Sequence, residues 1–147
     1  MRSLTQACVA CMLLALCTGA AVAQTAKPFA EARVVLQISD SDPGKQTLVL
    51  NVANNLVKHY GPDRVDVEIV AFGPGLRLLF AENSNGDAID RLARDSGVRF
   101  SACANTIAAM TRLRGAPPVI SEHAREVSAG VVRIMDLVGE GYTLVKP

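Results

Sequence analysis

Apolar residues fall along the chain in two alternating patterns, short continuous runs and stripes of helical period. Arg33–Ile38 is a β-branched apolar run bounded by turn residues and reads as a buried strand. Ser39–Gly44, with Asp40 and Asp42, is turn chemistry. From Lys45 to Tyr60, Leu48, Val52, Leu56 and Tyr60 recur every four residues with Val49, Ala53 and Val57 beside them, which predicts a helix. Gly61-Pro62 stops it. Val65–Phe72 alternates and then runs apolar, as a second strand does, and Gly73-Pro74-Gly75 breaks it. Leu76–Phe80 is apolar without a clear period and reads as a short helix. Asp87–Ser96 carries Ala88, Ile89, Leu92 and Ala93 on one side, with Gly97 as its stop. Val98–Ser101 is a third strand leading to Cys103, and Asn105 is the expected N-cap of a helix over Thr106–Met110. After the loop Gly115–Pro118 come a weak fourth strand (Glu126–Ser128), a helix (Ala129–Val138) carrying Val131, Val132, Met135 and Val138, and a fifth strand (Tyr142–Val145).

Strands and helices alternate throughout, which argues for an α/β fold with a parallel sheet covered by helices on both faces. The N-terminus follows a different grammar. Arg2 is a positive start, Ala7–Leu16 is apolar and free of charge, and Ala21-Val22-Ala23 places small residues where a signal peptidase reads. Residues 1–23 are therefore expected to be a cleaved secretory signal, residues 24–32 a tether, and residues 33–147 one domain. The apolar stretch is short of the ~20 residues that a spanning helix needs, so no membrane attachment is expected after cleavage. A lipoprotein signal ending at Cys17 is the rival, and Leu16 fits it poorly.

That division changes the cysteine count. Of four cysteines, Cys8, Cys11 and Cys17 fall in the signal, which leaves Cys103 as a lone thiol in the exported part. An unpaired cysteine in an oxidising compartment stands out. With His59 and His123 as the two histidines, no metal site is expected. Loss of Arg2 makes the exported chain formally neutral, and there is no tryptophan. Neutral charge without basic runs argues against a nucleic-acid partner.

Cys103 stands just past a strand and just before a helix, at the carboxyl edge where open parallel sheets collect ligands. Helix amides there would favour a thiolate; the other reading is a buried packing cysteine. Gly73 and Gly75 lie at the same edge, either as a backbone approach for a ligand or as a simple turn. Asp40 and Asp42 are polar ligands at that edge or turn and cap residues. His59 suits a helix end, and His123 shows no partner in the sequence.

Taken in order, Val34–Ile38 with Asp40, Leu56-Val57, Val67–Leu76, Val98–Thr106, Ser128–Ile134 and Gly141-Tyr142 resemble the exported branch of the DsrE/DsrF-like family, over nearly all of residues 33–147. The resemblance implies a three-layer α/β/α sandwich with a five-stranded, mainly parallel sheet, assembled as trimers or hexamers. It also implies that Cys103 carries sulfur as a persulfide, received from a sulfane-sulfur donor and passed to a thiol acceptor, without a cofactor. Asn105 and Thr106 would stabilise the sulfur's charge, and a sulfurtransferase-like role in the periplasm follows. The alternative is a non-catalytic oligomeric module that binds a small ligand or partner, with Cys103 as packing. A third reading is a redox sensor that forms an intermolecular disulfide.

Overall fold

The computed structural model describes residues 26–147. The expected signal peptide, and with it the cleavage point, lies outside the described residues. The elements are strand β1 (Ala32–Ile38), helix α1 (Pro43–Tyr60), strand β2 (Val65–Ala71), a 3-10 helix (Gly73–Leu79), helix α2 (Gly86–Ser96), strand β3 (Arg99–Cys103), helix α3 (Ala104–Arg114), strand β4 (Ala124–Val127), helix α4 (Gly130–Gly139) and strand β5 (Thr143–Val145). The five strands form one sheet in the order β4-β3-β2-β1-β5, and every neighbouring pair is parallel. The fold is a three-layer α/β/α sandwich.

The strand order explains which helix lies where. From β1 to β4 the chain steps across the sheet in one direction, and α1, the 3-10 helix, α2 and α3 pack on one face. To place β5 beside β1 the chain must return, so a crossover of the same right hand puts α4 on the opposite face. The first face buries the main core, with Leu36, Ile69 and Phe100 of the sheet under Val49, Leu79 and Ile89. The second buries a small apolar cluster of Val35, Val70, Ile134, Leu137 and Tyr142.

Two expectations need correction. The third strand runs on to Cys103, and the helix begins at Ala104 with Cys103 itself in the N-cap position, so Asn105 lies inside the first turn. The fourth strand is Ala124–Val127; it is an edge strand with Arg125 and Glu126 exposed, and an apolar run does not mark it. The apolar residues that α4 carries mostly face outward. Val131, Val132, Met135 and Val138 are 53%, 50%, 67% and 47% exposed, while Ile134 and Leu137 pack inward.

The described part of the expected tether is fastened to the body. The Lys27 amide donates to Asp66 Oδ2 at 2.8 Å, and Lys27 Nζ donates to the carbonyls of Ser96 (2.6 Å), Val65 (3.1 Å) and Pro62. Glu31 and Ala32 then reach the Arg64 carbonyl as β1 begins.

Candidate functional site

Cys103 ends β3 at the carboxyl edge of the sheet and is buried, with 5% of its surface exposed. Because β3 runs into α3 without a loop, Cys103 holds the N-cap position of α3, although its side chain makes no capping hydrogen bond. The amides of Asn105 and Thr106, second and third in the helix, lie near enough to lower its thiol. A third amide comes from Gly130 at the start of α4, on the other side. Two helix N-termini therefore meet at one thiol.

Two glycines allow this geometry. A Cβ on Gly130 would stand 2.9 Å from the Cβ of Phe72, so only glycine lets α4 begin this close to the end of β2. Gly73 has φ +53°, and its amide donates to Thr106 Oγ1 at 2.9 Å. The Thr106 hydroxyl accepts that bond and is left to donate to the sulfur. Burial pushes the Cys103 thiol up; the Thr106 hydroxyl, then the amides of Gly130, Thr106 and Asn105, outweigh it and hold the thiol below its ordinary value. Donors aimed at a sulfur favour its thiolate form.

Beside this cradle lies a cavity of about 560 Å³, framed by Gly73, Pro74 and Arg77 of the 3-10 helix and by Asn105, Thr106 and Arg114 of α3. Met110 and Leu113 add an apolar wall, and Ser41 closes one side. Neither guanidinium pairs with a carboxylate among the described residues; Arg114 lies 5.3 Å over the Phe80 ring.

Of the residues singled out in the sequence, Cys103, Asn105, Thr106 and Gly73 come together. Gly75 does not join them. Its Cβ would lie 2.4 Å from the Ile38 carbonyl oxygen, so its bareness lets the 3-10 helix rest on the end of β1. Asp40 pairs with Lys45 at 2.5 Å and accepts the Asp42 amide at 2.9 Å, and Asp42 caps α1 through the Lys45 amide. Both aspartates serve the turn. His59 is exposed at the end of α1, edge-on to Tyr60. His123 has a partner after all, Asp90 at 2.9 Å, and Cys103 is not it.

Sequence reasoning missed the charged layer between the sheet and α4. Asp66 and Glu68 on β2 are fully buried; Arg99 and Ser101 on β3 lie on the same face. Arg99 binds Asp66 at 2.9 Å, Glu68 at 3.2 Å and the Tyr142 hydroxyl at 2.7 Å. Tyr142 donates to Asp66 at 2.6 Å; burial and that carboxylate push its hydroxyl up to about 12. Glu68 accepts from Ser101 at 2.7 Å and takes a two-pronged bond from Arg133 of α4, 2.7 Å at each oxygen. Burial alone would raise the Glu68 carboxyl; Arg133, Ser101 and Arg99 outweigh it and hold it below its usual range. The signal was visible in Val65–Phe72: two carboxylates in a central parallel strand need buried partners.

No family model matches the chain, and no curated protein matches it. A solved structure of a protein of unknown function from Methanobacterium thermoautotrophicum is similar, with 28% identity and a TM-score of 0.71 over 80% of this chain and 100% of that one. The two share a fold. Among the described residues no helix is long and apolar enough to cross a membrane, and no cluster of three metal-binding side chains occurs.

Proposed function

We propose that the protein is an exported, periplasmic sulfur carrier of the DsrE/DsrF-like kind that holds sulfane sulfur on Cys103. The observation that carries this reading is the position of Cys103 as N-cap of α3, with the N-terminus of α4 starting three residues after its strand partner Val127; the Thr106 hydroxyl and nearby amides hold its thiol low. Such a site favours an anionic sulfur before and after transfer. The step is a displacement. The Cys103 thiolate attacks the terminal sulfur of a donor persulfide, R–S–SH. The donor's S–S bond breaks, R–S⁻ leaves with the electron pair, and Cys103–S–SH remains. An acceptor thiolate attacks the outer sulfur in turn and regenerates the Cys103 thiolate.

The neighbouring cavity, with Arg77 and Arg114 free of carboxylates among the described residues, suits an anionic donor. It also favours the second reading, a ligand-binding module in which Cys103 is packing. The outward apolar side chains of α4, with Leu144 and Val145 of β5, support self-association as a trimer or hexamer.

Intact-mass spectra before and after exposure to a sulfane-sulfur donor test the carrier reading, with the adduct mapped to its peptide. The expected result is a gain of one sulfur atom on Cys103 that reductant removes and that Cys103→Ser lacks. Absence of an adduct with thiosulfate, polysulfide and glutathione persulfide alike would sink it. A Cys103→Ser variant that still binds ligand in the cavity would then favour the second reading.

A further inference from the structure

The first turn of α4 starts three residues after Val127, the strand partner of Cys103, yet little apolar contact holds that turn down. Val131 and Val132 are about half exposed, and the inward apolar anchors Ile134 and Leu137 come later in the helix. What binds the turn to the sheet is the close approach of Gly130 to Phe72 and the fork from Arg133 to both oxygens of Glu68. Glu68 also accepts from Ser101, which sits two residues before Cys103 on β3 and faces the same side of the sheet. One buried carboxylate thus ties together the two structures that flank the sulfur: the strand that carries it and the helix whose N-terminus faces it. A two-pronged guanidinium–carboxylate bond fixes angle as well as distance, which a lysine in the same place would not.

We propose that Glu68 and Arg133 are positioning residues, which hold the N-terminus of α4 beside Cys103 and so set how readily that thiol ionises. Neither touches the sulfur. The proposal rests on Cys103 being the reactive group, and it adds that the group's reactivity is set by a clamp outside the cradle.

The test is the pH profile of Cys103 alkylation by iodoacetamide, followed on the Cys103 peptide by mass spectrometry. It compares wild type, Arg133→Met, Arg133→Lys and Ile89→Val, each with its melting temperature. Ile89 is a buried residue of α2 on the opposite face, so Ile89→Val is a control that lowers stability away from the site. In Arg133→Met the midpoint should move to higher pH, with the neutral-pH thiolate fraction reduced about fivefold, the size of a helix-terminus contribution of ~1 kcal/mol. Arg133→Lys should fall between it and wild type, and Ile89→Val should keep the wild-type profile. Should Arg133→Met fail to fold, the Arg133→Lys midpoint decides, and a wild-type midpoint there overturns the proposal. So does a folded Arg133→Met whose melting temperature drops while its profile stays in place. If the profile shifts as expected but wild type takes up no sulfur, the clamp stands and the carrier reading falls. If wild type takes up sulfur and no variant shifts, the carrier reading stands and the clamp falls.

Discussion

On the face covered by α1, the 3-10 helix, α2 and α3, the strands bury Val34, Leu36, Val67, Ile69 and Phe100. On the face covered by α4, the same central strands bury Asp66, Glu68, Arg99 and Ser101 beside a small apolar cluster. The first face gains stability from apolar area and is insensitive to which atoms meet, provided the space is filled. The second face gains little net stability from its charges, because desolvating them offsets most of their attraction. What it gains is definition: each charged group accepts one arrangement of its partners. Cys103 and the N-terminus of α4 sit at the carboxyl end of that second face, so that definition reaches the surroundings of the sulfur.

The contrast can be broken most sharply on the apolar side. Phe100→Ala, at a fully buried position, should cost about 3–5 kcal/mol in urea unfolding; a loss under ~1 kcal/mol would mean that this face is not the main core. Acid titration sharpens the charged side. Glu68 has its carboxyl held low in the folded state, so its contribution is full above the unfolded carboxyl range near pH ~4 and is lost as the pH falls through the folded value. Wild type and Phe100→Ala should therefore lose stability with similar slopes below that range. Glu68→Gln should lose it less steeply, by up to about 1.4 kcal/mol per pH unit, the limit for one proton. Equal slopes in all three proteins would place the acid sensitivity elsewhere. The smallest expected effect on folding lies on the outer side of α4. Met135→Ser should change stability by no more than about 0.5 kcal/mol, while sedimentation of the concentrated protein shifts toward monomer. Unchanged sedimentation would remove this surface as the interface.

The apolar face was legible in the sequence because period alone encodes it. Val49, Ala53 and Val57 repeat at helical spacing, and the β-branched run of Arg33–Ile38 needs no partner to be read as buried. Cys103, Asn105, Thr106 and Gly73 were legible as candidates because each punctuates a junction between elements. Gly130, Glu68 and Arg133 were not, because their roles depend on pairs that lie 58 and 65 residues apart and on which side of α4 faces inward. Nor does the sequence tell which way Val131, Val132 and Met135 point: an apolar residue on a short helix does not state which surface it covers.

The order in which the strands sit has a consequence for how the chain is made. β1 leaves the ribosome before the other four strands, and its outer neighbour β5 after all of them. Until residues 143–145 arrive, Val34–Leu36 present an open hydrogen-bonding edge, and Asp66 lacks the hydroxyl that Tyr142 will donate. A nascent or clipped chain is accordingly sticky along β1 even when every other element has formed. The short C-terminal strand covers β1, and a protease nick just ahead of Tyr142 would expose a longer, more apolar edge that can recruit strands from its neighbours.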